Sequence, residues 1–122
     1  MNDAITGVEG DLRSNGISVE SLRVGEDRVT VEYLTAFPDV HVNHAEMGRV
    51  LTTFIDRAEA GEWDPVRVEA TALRHDDDVQ GTWHAEAEWF ERYLGYELSD
   101  EDFTELVLET LDEAEPGAEG SA

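Results

Sequence analysis

Cysteine and lysine are both absent from this chain, and each absence narrows what the protein can be. Without cysteine it forms no disulfide, binds no metal through a thiolate and carries out no thiol redox chemistry. No apolar run approaches the roughly 20 residues that a membrane-spanning helix needs. The first ten residues, MNDAITGVEG, have neither the basic nor the apolar region of a signal peptide. We therefore expect a cytoplasmic protein with no membrane partner.

Acidic residues dominate the composition: Asp and Glu number 30 against 8 for Lys and Arg, a net charge of −22. In ordinary buffer, repulsion among so many carboxylates would strain a small folded domain. In near-molar salt the Debye length falls to about 3 Å, so neighbouring exposed carboxylates scarcely repel. Because the acids are spread through periodic apolar segments, the composition indicates a folded halophilic protein rather than a disordered acidic chain.

The same composition narrows the classes of partner. Arginines do not cluster with aromatic residues, so no groove that follows a phosphate backbone is expected, and we predict no nucleic-acid partner. An acidic surface can also imitate a nucleic acid, which we keep as a minor alternative. Halophily already accounts for the charge without it.

The first third of the chain predicts a short helix followed by a β-hairpin. Asn15-Gly16 is a common helix end. Segments 17–24 and 28–37 alternate apolar and polar residues and are joined by a short loop containing glycine. The first strand breaks phase, so we expect a bulge or an edge position there. The apolar face of the helix is Ile5, Val8 and Leu12, and the inner face of the second strand is Val29, Val31, Tyr33, Thr35 and Phe37.

A second helix is predicted by the most regular pattern in the chain. Asn43 can cap it, with Glu46 three residues later in the capping-box position. Apolar residues then recur at helical spacing until Gly61. They are Met47, Val50, Leu51, Phe54, Ile55 and Ala58.

Residues 66–90 predict a second hairpin that turns in the Asp76-Asp77-Asp78-Val79 loop and runs into a helical turn ended by Gly95. Ser99 and Asp102 form a capping box for a last helix. The predicted inner face of the hairpin is Val66, Val68, Ala70, Ala72, Trp83, Ala85, Ala87 and Trp89. The predicted outer face is Arg67, Glu69, Thr71, Thr82, His84, Glu86 and Glu88.

The predicted fold class is therefore α+β, with the order α-β-β-α-β-β-α. Antiparallel strands with one apolar face predict a two-layer sandwich with the helices on one face of the sheet. A chain of 122 residues fits one domain. We place that domain at residues 1–112 and expect residues 113–122, which include Pro116, to form a flexible acidic tail.

Two segments resemble small conserved hypothetical proteins of haloarchaea. They are WHAEAEWFERYLGYELSDEDFTELVLETL at 83–111 and HAEMGRVLTTFIDRAEAGEWDPVRV at 44–68. The resemblance covers about half of the chain. It implies a salt-rich habitat and a shared fold, and it transfers no site residues, because that group has no known function.

His41 and His44 are the first candidate metal ligands. The spacing H-x-x-H at a helix start can place two imidazoles on one ion, but a zinc site needs three or four ligands. The simpler interpretation is a loop histidine and an exposed first-turn histidine. The Asp76-Asp77-Asp78 run lacks the ligand spacing of an EF-hand loop and is better explained as a solvated turn.

Glu69, His84 and Glu86 are the second candidate site. A hairpin centred near Asp77-Asp78 places Glu69 opposite Glu86 and Thr71 opposite His84, or partners shifted by two. Two facing carboxylates repel, so salt, Arg67 or a bound cation should compensate. A histidine beside two carboxylates can bind metal or act as an acid–base group. The simpler interpretation is a solvated sheet face.

No nucleophile elbow, phosphate loop or dinucleotide motif is present, and no cofactor is predicted. The sequence thus favours a non-enzymatic binding or interaction module that pairs with itself as a homodimer or with another protein. The alternative is a small metal-dependent or acid–base enzyme that uses His84 with Glu69 and Glu86, or His41 with His44.

Overall fold

The computed structural model describes residues 3–38, 41–75 and 78–113, with side chains from residue 7 onward. Four helices and five strands follow one another along the chain. They are α1 Asp3–Ser14, β1 Ser18–Val24, β2 Arg28–Leu34, α2 His44–Glu59, β3 Arg67–His75, β4 Asp78–Ala85, α3 Ala87–Leu94, α4 Asp100–Leu108 and β5 Asp112–Glu113.

The first hairpin has the predicted loop, and its strand residues alternate between the two faces of the sheet as predicted. Its strands pair antiparallel on either side of residues 25–27, and Gly16 ends the preceding turn with φ 88. The register of β1 shifts between Val19 and Ser21, and β1 is also an edge strand of the sheet. Both predicted causes of the phase break are therefore present. Ile5 lies outside the described side chains, whereas Val8 and Leu12 are buried.

The prediction of an antiparallel sheet is wrong at its centre. The five strands lie in the order β1-β2-β3-β4-β5, and β2 pairs with β3 in parallel. The connection explains this, because the 16 residues of α2 span about 24 Å at the usual helical rise. The 7 residues of β2 span about 23 Å. The helix therefore returns the chain to the end where β2 began, and the sheet is mixed.

A single core cluster joins all four helices to alternate residues of the strands. Val29, Val31 and Tyr33 are buried as predicted, whereas Phe37 lies beyond the end of β2 and is 48% exposed. The strands contribute Val19, Val29, Val31, Tyr33, Val68, Ala70, Ala72, Trp83 and Ala85, and the helices contribute Val8, Leu12, Met47, Val50, Leu51, Phe54, Phe90, Phe103 and Val107. The intervening strand residues form what we call the outer face of the sheet.

The elements at the end of the chain differ from the predicted order of helices and strands. β4 stops at Ala85, and the predicted inward strand residues Ala87 and Trp89 belong to α3. A further helix, α4, begins at the predicted capping box, in which Ser99 and Asp102 bond to each other's backbone. The short strand β5, which was not predicted, pairs with β4. Of the predicted tail, residues 114–122 lie outside the described part.

Candidate functional site

β3 and β4 bring the predicted site residues together on the outer face, in a register shifted by two. Glu69 lies opposite His84, and Thr71 lies opposite Thr82. The pair His75 and Asp78 closes the hairpin one residue earlier than the predicted centre. Glu86 therefore lies beyond the strand end instead of opposite Glu69, and the predicted contact between two carboxylates does not form.

Two arginines bridge the carboxylates of this region. The Arg67 guanidinium contacts Glu69 at 2.8 Å and Glu86 at 2.6 Å. Arg28 contacts Glu69 at 3.3 Å from the neighbouring strand, and the His84 imidazole lies 3.1 Å from Glu86. We call these five residues the outer-face cluster. Arg67 was one of the three predicted compensators, and its position between the two carboxylates explains how they coexist.

Ion pairing with arginine keeps Glu69, at the centre of the outer-face cluster, deprotonated. The hydrogen bond from Arg67, with help from Arg28, lowers the pKa of Glu69 below its ordinary value of 4.5. The same bond raises the pKa of Arg67. Glu69 is therefore a carboxylate at neutral pH, so it cannot serve as a proton donor there.

His84 is held on several sides. Its ring stacks on the indole of Trp89, with centroids 5.9 Å apart and planes inclined by 17°. Its backbone N–H donates to the Thr110 hydroxyl at 2.9 Å. The one proton of that hydroxyl has two acceptors in reach, the Val107 carbonyl at 2.7 Å and the His84 carbonyl at 3.2 Å. Trp89 thus covers the imidazole from α3, where the sequence predicted a core position on a strand. The ring of His84 therefore contacts Trp89 and Glu86, and its backbone is bonded to Thr110.

His41 and His44 both act on Glu113, His41 through a hydrogen bond and His44 through its charge alone. His41 Nδ1 lies 3.0 Å from Glu113 Oε1, and the Val42 N–H donates to the other oxygen of Glu113 at 2.8 Å. The hydrogen bond with His41 lowers the pKa of Glu113. His44 begins α2 and is exposed. Within residues 3–38, 41–75 and 78–113, no three His, Asp or Glu side chains are grouped to hold a metal ion.

Glu46 is a polar residue whose burial the sequence did not predict. It occupies the predicted capping-box position, and its N–H donates to the Asn43 side chain at 2.9 Å. Its own carboxylate, however, is buried with 1% exposure and accepts from the Thr35 hydroxyl and the Ala36 N–H. The pattern of a helix start revealed the cap but not the residues at the end of β2 that Glu46 binds.

This geometry defines a small α+β protein with an ion-paired outer sheet face. The chain belongs to the family described as Domain of unknown function (DUF8159), whose model matches residues 1–117. No curated protein and no solved structure matches the chain. No helix in the described segments is long and apolar enough to cross a membrane.

Proposed function

We propose that this protein is a non-enzymatic interaction module of a salt-rich, haloarchaeal cytoplasm, and that it assembles as a homodimer through strand β1. The observation that carries the proposal is Arg23 on this edge strand, which has no ion pair among the described residues. The protomer is taken as a two-layer unit with its helices on one side of the sheet, which the single core cluster supports.

Strand β1 offers backbone groups to a partner strand. It is the first strand of the sheet and has only β2 beside it among the described strands. The Arg13 guanidinium donates to the Val19 carbonyl at 3.2 Å, which satisfies one acceptor near the start of β1. The later part of the strand is more exposed, and Val24 is 39% exposed. An open edge of this kind commonly adds a strand from a second chain.

Charge favours contact at this edge. Six of the eight arginines are ion-paired with carboxylates, whereas Arg23 and Arg49 have no such pair in the described chain. Arg23 lies beside Thr30 on the outer face, on the strand next to the one that carries Arg28. In a chain of net charge −22, Arg23 supplies a cation at this edge that can pair with a carboxylate of a second copy.

One two-fold arrangement of β1 brings Arg23 near a carboxylate of the second copy, and we propose that arrangement. Ser21 and Arg23 share the outer face, and Leu22 faces the core side. A two-fold axis at Leu22 places Leu22 opposite its own copy and Arg23 opposite Ser21 of the second copy. Glu32 is the neighbour of Ser21 on β2. Arg23 and Glu32 of the second copy would then lie about 10 Å apart across two strand spacings, within reach of their extended side chains.

Oligomeric mass in high salt tests the dimer. In about 2 M potassium chloride, where screening removes most of the mutual repulsion, light scattering should give twice the mass of the chain. Arg23→Glu should give a monomer that remains folded. Arg49→Glu makes the same charge change at the other arginine without an ion pair in the described chain, and this variant should remain a dimer. A monomeric wild-type protein, or an Arg23→Glu dimer as tight as wild type, would contradict the proposal.

The habitat is tested separately by unfolding. We expect the free energy of unfolding to rise strongly between about 50 mM and about 2 M salt, because screening relieves repulsion among the carboxylates. Equal stability at the two concentrations would contradict the salt-rich habitat. It would leave the dimer test unaffected.

A further inference from the structure

A groove runs along the helices, between α2 and the junction of α3 with α4. It consists of two adjoining hollows of about 280 Å³ and 240 Å³, which share Tyr93 and Asp100. Leu51, Ile55 and Phe103 supply the apolar part of the first hollow, and Thr52, Thr104 and Asp100 supply polar groups beside them. We call this surface the helical groove. It contains no residue of β1, so it is separate from the proposed dimer edge.

Tyr96 projects beside this groove in an unusual backbone conformation. Its side chain is 95% exposed, and its φ of 65 lies in the left-handed region that favours glycine. Gly95 immediately before it has an ordinary φ of −88, so the strained position is occupied by the aromatic residue. Tyr96 also lines the second hollow. An exposed tyrosine at the rim of a groove is a residue type that often serves as an interface anchor.

The rim of the helical groove is negatively charged. The Tyr93 hydroxyl donates to the Asp100 carboxylate. This bond, together with the charges of Glu59 and Asp56, raises the pKa of Tyr93 to about 12. Across the described chain, none of these three carboxylates is ion-paired with an arginine or histidine. Of the three, Asp100 and Glu59 line the groove, and carboxylates beside the apolar residues Leu51, Ile55 and Phe103 complement a cationic amphipathic surface.

We propose that the helical groove docks a basic amphipathic segment of a partner protein. Aliphatic side chains of that segment fill the first hollow, an arginine or lysine meets Asp100 and Glu59, and the Tyr96 ring covers the contact. A second copy of this chain does not fit the rim, because it presents 30 acidic residues against 8 basic ones. The binding persists in near-molar salt because docking of the segment buries the charge contacts, and buried pairs are screened much less than exposed ones.

A defined peptide tests the groove. The probe is a synthetic helical peptide of leucine, alanine and arginine, added to the full chain in about 2 M potassium chloride to suppress nonspecific attraction. A peptide with glutamine in place of arginine is the control. Chemical-shift changes should be confined to the helical groove, including Leu51, Tyr93 and Phe103, and the glutamine peptide should bind more weakly.

Variants at the helical groove distinguish a loss of peptide binding from a loss of folding stability. Tyr96→Gly removes the ring and relieves the left-handed strain, so it should weaken peptide binding about tenfold or more while the melting temperature stays or rises. Asp100→Asn should also weaken binding, and Glu20→Gln on β1 should not. Shift changes centred on the sheet, or wild-type affinity in Tyr96→Gly, would overturn the proposal.

Discussion

The Thr35 hydroxyl donates to the buried carboxylate of Glu46 at 2.5 Å, and so joins the end of β2 to the first turn of α2. The Ala36 N–H donates to the second oxygen at 2.8 Å, and the Thr35 hydroxyl in turn accepts from the Phe37 N–H at 2.9 Å. Both carboxylate oxygens therefore have donors. This junction fixes where α2 starts, and α2 in turn sets the direction of β3.

Replacing Glu46 with Gln should destabilise the protein. The Gln amide keeps one acceptor oxygen but places an N–H₂ donor against the Thr35 hydroxyl or the Ala36 N–H, each of which donates to Glu46. One buried polar group is then unsatisfied, which costs about 1–3 kcal/mol. Chemical denaturation in high salt measures the change. Glu105→Gln, on the exposed side of α4, is the control and should change stability little. Equal stability of the two variants would show that the junction is not structural.

A second buried hydrogen bond links two strands through their side chains. The Trp83 indole N–H donates to the Tyr33 hydroxyl at 3.1 Å, and both residues are at most 2% exposed. Tyr33→Phe leaves that N–H without its acceptor, so the free energy of unfolding should fall by about 1–3 kcal/mol. Tyr96→Phe, at an exposed ring, removes a hydroxyl from solvent and should be neutral in the same denaturation experiment.

Gly81 is packed too closely to accept a side chain. A Cβ there would lie 2.7 Å from a Val42 methyl and 3.1 Å from the Asp112 carbonyl. We expect Gly81→Ala to cost about 1–3 kcal/mol, because the loop and β5 must move. Gly10→Ala in α1 meets nothing within 4 Å and should stabilise the chain by about 0.5–1 kcal/mol. Thermal melts of both variants should therefore shift in opposite directions.

The ion pair between Arg67 and Glu69 in the outer-face cluster predicts part of the loss of folding stability at acidic pH. Arg67 lowers the pKa of Glu69 below 4.5, so the folded state binds a proton there less readily than the unfolded chain. The resulting stabilisation is complete above the unfolded pKa and is lost as the pH falls through the folded pKa. In about 2 M salt, where general repulsion is screened, Glu69→Gln should flatten the decline of stability below pH 4.5.

The matched control for that titration is again Glu105→Gln, which should keep the wild-type slope. The measurement is the free energy of unfolding at a series of acidic pH values for all three proteins. A Glu69→Gln slope as steep as wild type would show that the bond between Arg67 and Glu69 adds no stability in solution.

Local patterns in the sequence were enough to place most elements. Asn43, Gly61, and the pair Ser99 and Asp102 mark helix ends where the structure has them, because capping depends on residues within one turn. The alternation of Val29, Val31 and Tyr33 also gave the correct buried face. Trp89 was assigned to a strand because alternation alone cannot show where a strand gives way to a helix.

The candidate site was predicted as a set of residues but not as a set of contacts. Glu69, His84 and Glu86 do lie together on the outer face. Their pairing depends on where the hairpin closes, and one residue of difference in the turn moves every partner by two. Arg28 was not predicted to join them. It reaches Glu69 only because β2 and β3 are adjacent and parallel.

The sequence by itself determined the chemistry available to this protein: no thiols, arginine as its only cation, and carboxylates spread over periodic apolar segments. It also determined the main helices and strands, whose patterns are local. Only the tertiary structure decided the parallel pairing of β2 with β3, the burial of Glu46 and the stacking of Trp89 on His84. Each depends on contacts between residues that are distant in the chain or on where a strand ends, and the local alternation of residue types does not encode them.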